Sequence, residues 1–343
     1  VFSAVIPVYR NEQSLPELVA GLGEVAAEMR RRTGEALEVV FVVDGSPDRS
    51  FEALTELLPA APFRSQLLLH SRNFGSFAAI RSGLAAASGS SFGVIAADLQ
   101  EPTELLIDFC AALQGDACDV VIGCREKRDD PLATRLASAA FWRLYKRFVI
   151  ADIPKGGVDV FGCNERFRDE LLRLEESNSS LVGLIFWLGF RRREILYGRR
   201  ERRHGKSAWS FGRKLNYLFD SVFSFTDLPI RLLLFFGLGG LLISLVLGLM
   251  VLAAKAVGEI PVPGYAATAL TVLFFGGLNA LGLGIVGTYA WRGFENTKGR
   301  PLAVIRLRRS FGGITSMPAR EAAAQPPAAV AGGRAATHEE LDG

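Results

Sequence analysis

Two acidic segments stand where strand-like runs give way to turns. Glu38–Val43 (EVVFVV) runs into Asp44-Gly45-Ser46-Pro47-Asp48, and Phe92–Ala96 (FGVIA) leads to Asp98-Leu99-Gln100-Glu101-Pro102. An acid at the carboxyl end of a strand, followed by Gly-Ser, can hold a nucleotide's base or ribose through charge-assisted hydrogen bonds. Asp-Gly-Ser-Pro is equally good turn chemistry. One carboxylate with a nearby Gln suits a hard divalent cation that keeps most of its ligands as water and phosphate oxygens. A helix N-cap at Asp98 or Thr103 is the plainer use of those residues. Further along, Arg191–Lys206 holds eight basic and two acidic residues. Such a run is a solvated collar near anionic headgroups, and some of its arginines can bind phosphate.

These groups act together only if a fold brings strand ends side by side. Phe2–Val8, Glu38–Val43, Gln66–His70, Phe92–Ala96 and Asp119–Gly123 read as short buried parallel strands. Helical spacing separates them over Leu15–Met29 (with Ser14 as N-cap), Phe51–Leu58, Phe77–Ala87 and Thr103–Leu113. This alternation predicts a parallel sheet covered by helices on both faces, with ligands outside the strands' carboxyl ends. Residues 124–150 read as helical and basic, and 154–175 as Gly-rich, then helical. Leu181–Phe190 is apolar but too short to span a bilayer.

The second part of the chain has a different character. Hydrophobic residues make up 49% of the 343 and charged residues only 22%, and mean hydropathy is +0.24. Residues 232–254 and 260–291, runs of 23 and 32, contain no charged residue. Each is long enough for a transmembrane helix. Phe211–Phe225 has the one-sided pattern of a helix lying in the headgroup plane. Arg213, Lys214 and Arg231 precede the first run, and Arg292, Lys298 and Arg300 follow the second, so the positive-inside rule puts both chain ends in the cytoplasm. The chain opens into a strand-like run without Met or a signal-peptide pattern, and loss of a few leading residues is expected. A formal net charge of +3, with no nucleic-acid-binding module, argues against a nucleic-acid partner. The four cysteines form no CxxC pair, which argues against a zinc site or a disulfide scaffold. Gly282–Gly287 matches GxGxxG inside an expected span with no preceding strand, and is not a dinucleotide site.

Taken together, Val5-Ile6-Pro7-Val8-Tyr9-Arg10-Asn11-Glu12, Asp44-Gly45-Ser46, Ser71-Arg72-Asn73-Phe74-Gly75, Asp98-Leu99-Gln100-Glu101-Pro102, Gly123-Cys124-Arg125, Gly205-Lys206-Ser207 and Lys298-Gly299-Arg300-Pro301 occur in the order seen in one family. The chain resembles the family 2, GT-A-fold polyprenyl-phosphate glycosyltransferases, which include dolichol-phosphate mannose synthase and the GtrB-type and ArnC-type enzymes. It departs from their pattern at Val43 and Ala96, each standing where the family usually has the first of two aspartates. Lys206 precedes Ser207 where the family has Ser-Lys-Tyr.

The resemblance implies a UDP-sugar or GDP-sugar donor, a polyprenyl phosphate acceptor, and inversion at the anomeric carbon. It places Pro7, Tyr9, Glu12, Asp44, Ser46, Asn73, Gly75 and Asp98 around the nucleotide sugar. It places Mg²⁺ or Mn²⁺ on Asp98 and Gln100, and Arg125, Arg202, Arg203, Lys206 and Ser207 on the donor or acceptor phosphates. Asp98, Asp159, Arg125 and Arg202 are the expected catalytic set, with Asp159 on the acceptor side. The expected layout is a GT-A domain (Rossmann-like, mostly parallel sheet) over 1–208 and an interfacial helix over 209–227. A transmembrane hairpin over 228–255 and 262–291 follows, then a juxtamembrane segment over 292–315 and a disordered tail over 316–343. The expected location is a bacterial inner membrane, with membrane lipids and a second copy of the chain as further partners. One rival reading is extension of a lipid-linked saccharide at a hydroxyl, with Asp159 as general base. Another is a non-catalytic nucleotide-binding membrane module.

Overall fold

The computed structural model describes residues 1–126, 154, 158, 160–176, 179–200, 219, 221–256 and 264–312. The strands are β1 (Phe2–Val8), β2 (Leu37–Val43), β3 (Arg64–His70), β4 (Ser91–Val94), β5 (Val120–Arg125), β6 (Val160–Asn164), β7 (Arg192–Tyr197) and β8 (Ile305–Phe311). They form one sheet in the order β7-β5-β6-β4-β1-β2-β3-β8. The helices are α1 (Leu15–Thr33), α2 (Ser50–Leu57), α3 (Ser76–Ala86), α4 (Leu105–Gln114), α5 (Glu165–Arg173), α6 (Leu181–Trp187), α7 (Leu228–Ala256) and α8 (Tyr265–Thr297).

Strand alternation builds two cores from one sheet. Phe2, Ala4, Ile6 and Val8 of β1, with Val39, Phe41 and Val43 of β2, face α1, α2 and α4 and meet Leu18, Leu22, Leu54 and Phe109. Val5, Val40 and Val42 point the other way, toward Ala79 and Leu84 of α3, Phe167 and Leu171 of α5, and Leu184 of α6. A strand buried on both faces is apolar at nearly every position, which is why β1 and β2 read as apolar runs broken only at Ser3 and Glu38. The result is a three-layer, mixed α/β, GT-A-like sheet.

The parallel core β4-β1-β2-β3 matches expectation, but the sheet extends beyond it on both sides. Val160–Asn164, within the 154–175 stretch read as Gly-rich, then helical, is a strand antiparallel to both β4 and β5. Part of the basic run forms β7, parallel to β5. At its start Arg191 donates to Asp119 at 3.0 Å and to Asp116 at 2.9 Å. The Arg191 guanidinium, helped by Asn164, holds the Asp119 carboxyl below the usual carboxylate range. Ser14 does not cap α1 with its side chain. Its hydroxyl lies 2.7 Å from the Ala97 carbonyl and 3.0 Å from that of Asn11, tying the β1–α1 turn to the end of β4. All four cysteines are buried and free, and burial pushes the Cys163 thiol up, away from thiolate chemistry.

The segment after α8, expected only as a juxtamembrane stretch, returns to the sheet as β8, antiparallel to β3. A polar relay fixes it there. Arg308 donates to Gln66 Oε1 at 2.6 Å, and Gln66 Nε2 donates to Glu38 Oε1 at 2.8 Å and to the Ala86 carbonyl at 2.8 Å. Glu38 is 1% exposed and also accepts from Ser3 Oγ and from the Ser88 N–H. A buried carboxylate needs such donors, and Gln66 bridges it by hydrogen bonds to the Arg308 guanidinium at the sheet edge. Helices α7 and α8 leave Leu234, Phe235, Leu238, Phe274 and Leu283 largely exposed. Among the described residues no helix is long and apolar enough to cross a membrane. Most of the expected interfacial helix over 209–227 lies outside the described residues, as do the tail and the 127–153 segment.

The relay makes β8 sensitive to one side chain. Arg308→Ala should lower stability by about 1 kcal/mol and speed hydrogen exchange of the Ile305–Phe311 amides while leaving β1 and β2 protected. Unchanged exchange in β8 would show that backbone pairing alone holds it.

Candidate active site

Strand β1 lies between β2, its successor in the chain, and β4. The loops that follow the carboxyl ends of β1, β2, β3 and β4 gather at one end of the sheet, where open α/β sheets bind ligands in a crevice. Among the described residues only two non-glycine residues have positive φ, Arg10 at 58° and Leu99 at 59°. One follows β1 and the other follows β4. The left-handed conformation costs a residue with a Cβ about 1 kcal/mol or more, so both turns flanking the crevice are held by their surroundings.

Asp48 holds the first pair of loops. Its Oδ1 accepts from the Ser46 hydroxyl at 2.6 Å and the Ser50 hydroxyl at 2.7 Å, and its Oδ2 from the Glu12 N–H at 3.1 Å. Ser46 Oγ in turn accepts from the Arg10 N–H at 2.8 Å, and Glu12 Oε2 accepts from the Arg49 N–H at 3.1 Å. Partial burial pushes the Asp48 carboxyl up, but the Ser46 and Ser50 hydroxyls and the Glu12 and Ser50 N–H groups outweigh it and hold the carboxyl below the ordinary 3.8. Pro7 pairs with Val42 near the end of β1. Tyr9 is half-buried, with the Arg10 guanidinium 5.4 Å from its ring centre.

Asp44 holds the second pair. It is 3% exposed; Oδ1 accepts from the Phe74 N–H and Oδ2 from the Gly75 N–H, both at 2.8 Å. His70 Nδ1 lies 2.8 Å from Oδ1. Asp44, expected to line the nucleoside pocket directly, thus spends its oxygens on the β3–α3 loop that carries Asn73 and Gly75. Gly45 has φ +58°, and a Cβ there would stand 2.3 Å from the Arg72 carbonyl carbon and 2.4 Å from the Asn73 nitrogen. Val43 packs in the core at 1% exposure, so the first departure from the family's paired aspartates serves packing.

After β4, Asp98 Oδ1 accepts from the Gln100 N–H at 3.2 Å, an Asx turn rather than a helix cap. Helix α4 starts only at Leu105 and has no side-chain cap. Gln100 Oε1 accepts from the Arg199 guanidinium, and the Gln100 carbonyl accepts from the Arg200 N–H at 2.9 Å. Arg199 Nε is 4.0 Å from the buried Glu101, and Arg200 is 3.4 Å from Glu104. The chain just beyond β7 therefore lies over the Asp98–Glu104 loop. Arg125 is half-buried at the end of β5. Asp159, Arg202, Arg203, Lys206 and Ser207 lie outside the described residues. Among the described residues no group of three or more His, Cys, Asp or Glu is placed to hold a metal.

Sequence reasoning missed Asp48, His70 and Arg199. Asp48 was legible, since Ser-x-Asp-x-Ser after a strand is Asx-turn chemistry. His70 and Arg199 gave no local signal, because their partners are 26 and 99 residues distant.

Two consequences are measurable. Gly45→Ala should cost about 3 kcal/mol and abolish nucleotide binding, read by denaturant midpoint and by titration calorimetry. Asp48 contributes stability that is present above its unfolded pKa and lost as pH falls below about 4. Asp48→Asn should therefore flatten the acid limb of the stability curve; an unaltered limb would remove Asp48 from that account.

The profile of the family described as "Glycosyl transferase family 2" matches residues 3–173, the span from β1 to the end of α5. The chain is 32% identical over 317 residues to the uncharacterized glycosyltransferase YkcC of Bacillus subtilis (strain 168), covering 91% of this chain and 94% of that protein. It is 28% identical over 305 residues to the bactoprenol glucosyl transferase of Shigella phage SfII, covering 89% and 97%. The matched region contains the strand-end crevice, and the relatives match well beyond it into α7 and α8. The chain belongs to glycosyl transferase family 2 and is a glycosyltransferase.

Proposed function

We propose that the chain transfers a hexose from a nucleotide sugar, UDP-linked in the first instance, to a polyprenyl phosphate at the cytoplasmic face of a bacterial inner membrane. One observation carries this reading. The strand-end crevice and two helices with lipid-like exposure belong to one unit, and the chain leaving α8 re-enters the same sheet as β8. The charge-free runs 232–254 and 260–291 lie within or largely overlap α7 and α8, and a bilayer would cover their exposed Leu and Phe side chains. A bactoprenol glucosyl transferase that aligns over 97% of its own length supports the same acceptor class.

The reaction asks little proton chemistry of the protein. A phosphate oxygen of the acceptor attacks the anomeric carbon, the bond to the diphosphate breaks from the opposite face, and the configuration inverts. The acceptor is already an anion, so positioning matters more than a strong base. The leaving diphosphate needs positive charge. Arg199 and Arg200, held over the Asp98 loop, bring two guanidinium groups there, and Arg125, Arg202, Arg203, Lys206 and Ser207 are assigned to the phosphates. Asp98 fits a hard divalent cation, Mg²⁺ or Mn²⁺. It presents carboxylate oxygen at a strand end, and such ions are held by one or two carboxylates plus substrate phosphates. When bound, the cation would neutralise charge on the leaving diphosphate. Gln100, also expected as a ligand, has its side-chain Oε1 on Arg199, which makes Asp98 the principal holder. Pro7, Tyr9, Glu12, Ser46, Asn73 and Gly75 are assigned to the donor, and Asp159 to the acceptor side.

Purified protein with undecaprenyl phosphate and a panel of labelled UDP- and GDP-sugars tests the reading. Label from one donor should enter the organic-extractable lipid, stop with EDTA, and fall about 100-fold or more in Asp98→Ala. Transfer only to a saccharide hydroxyl, or none with any donor, would overturn the polyprenyl-phosphate assignment.

A further inference from the structure

His70 ends β3 at 1% exposure, and nothing in the reaction above uses it. Its two ring nitrogens have different partners: Nδ1 is 2.8 Å from Asp44 Oδ1, and Nε2 is 2.9 Å from Ser82 Oγ in α3. Asp44 is an acceptor toward Phe74 and Gly75, so the ring donates Nδ1–H to it, while Nε2 pairs with the Ser82 hydroxyl. The Phe74 ring meets His70 edge-on at 5.6 Å, and the Arg72 guanidinium sits 4.0 Å from the centre of the Phe74 ring. Ser71 at the start of the loop donates its N–H to the Val304 carbonyl at 2.9 Å, and the Phe74–Gly75 end hangs from one buried carboxylate that pairs with one buried imidazole, itself anchored on a helix.

Packing alone is a poor account of this arrangement. A Leu would fill comparable space at the sheet–helix contact with no ring nitrogens to satisfy, but it would leave the buried Asp44 one donor short. The polar chain does something a Leu would not: it fixes the rotation of the Asp44 carboxylate, so that each oxygen faces one loop N–H. A loop displaced by about 1 Å loses much of its binding power.

We propose that His70 is a positioning residue for the nucleoside diphosphate of the donor. Through Asp44 it holds the Ser71–Gly75 loop, with Asn73 and Gly75, at the strand-end crevice. The inference rests on the reading of that loop as part of the donor site.

The test uses the full chain in detergent, with UDP and GDP as probes in titration calorimetry and thermal unfolding run beside each titration. His70→Leu should weaken the Kd for the nucleotide that the wild type binds by about tenfold, the worth of one hydrogen bond to a charged group. In His70→Asn the side-chain N–H falls near the Nδ1 position, and affinity should stay within about threefold. In His70→Gln the amide falls near Nε2 and misses Asp44, so the loss should match that of Leu. Ser82→Ala leaves the Asp44 contact and should stay within about threefold. In turnover assays the donor KM should rise in Leu and Gln with kcat kept. Wild-type Kd in folded His70→Leu or His70→Gln would overturn the inference, as would an Asn variant as weak as Leu, which would mark a packing role. Should His70→Leu not fold, the contrast between Asn and Gln decides. A wild type that binds neither nucleotide would remove the donor-site reading and this inference together, whereas equal binding by wild type and variants would remove only the inference.

Discussion

Asp44 is a carboxylate placed where water scarcely reaches, and the loops at the strand ends are arranged around satisfying it. Burying a charge costs several kcal/mol unless donors converge on it. Three do: two consecutive backbone N–H groups of one loop and the ring of His70. The loop must then pass so near the Asp44 turn that no Cβ fits at Gly45. Four residues on, Asp48 gathers hydroxyl and N–H donors and binds the β1–α1 turn to the β2–α2 turn. Two acids from one short turn thus organise the loops that follow β1, β2 and β3.

The same logic divides the basic run that precedes the helical hairpin. Its first member, Arg191, is committed to Asp119 and Asp116 at the start of β7. Arg199 and Arg200, past the other end of that strand, lie over the Asp98–Glu104 loop. Six residues of strand carry the chain from one end of the sheet's strands to the other, so neighbours in sequence serve structure at one end and the site at the other. The β8 strand has a comparable consequence. Because α8 leads into a strand held by the Arg308–Gln66–Glu38 relay, the apolar helices are tied to the sheet through β8 at their far end.

Much of this was legible in the sequence because it is local. Parallel strands buried on both faces are nearly continuous apolar runs, and α1 to α4 carry one-sided apolar spacing, so the β4-β1-β2-β3 core and its helices follow from periodicity. The acids after β2 and β4 were identifiable for the same reason: each stands directly where an apolar run gives way to a turn. The charge-free runs are equally local, and they coincide closely with α7 and α8. What the sequence left open depends on partners far along the chain. Val160–Asn164 becomes a strand only because β4 and β5 leave a gap that an antiparallel strand fills. Ile305–Phe311 is polar enough to pass for a surface tail until β3 offers an unpaired edge. Asp44 reads from sequence as a ligand-facing acid; the fold turns it inward, because His70 and the Phe74 and Gly75 N–H groups arrive from 26 to 31 residues away. Periodicity and turn chemistry act over a few residues and fix which elements form. Hydrogen-bond partners across a sheet are set by topology, and only the folded chain decides which polar groups are left to meet a substrate.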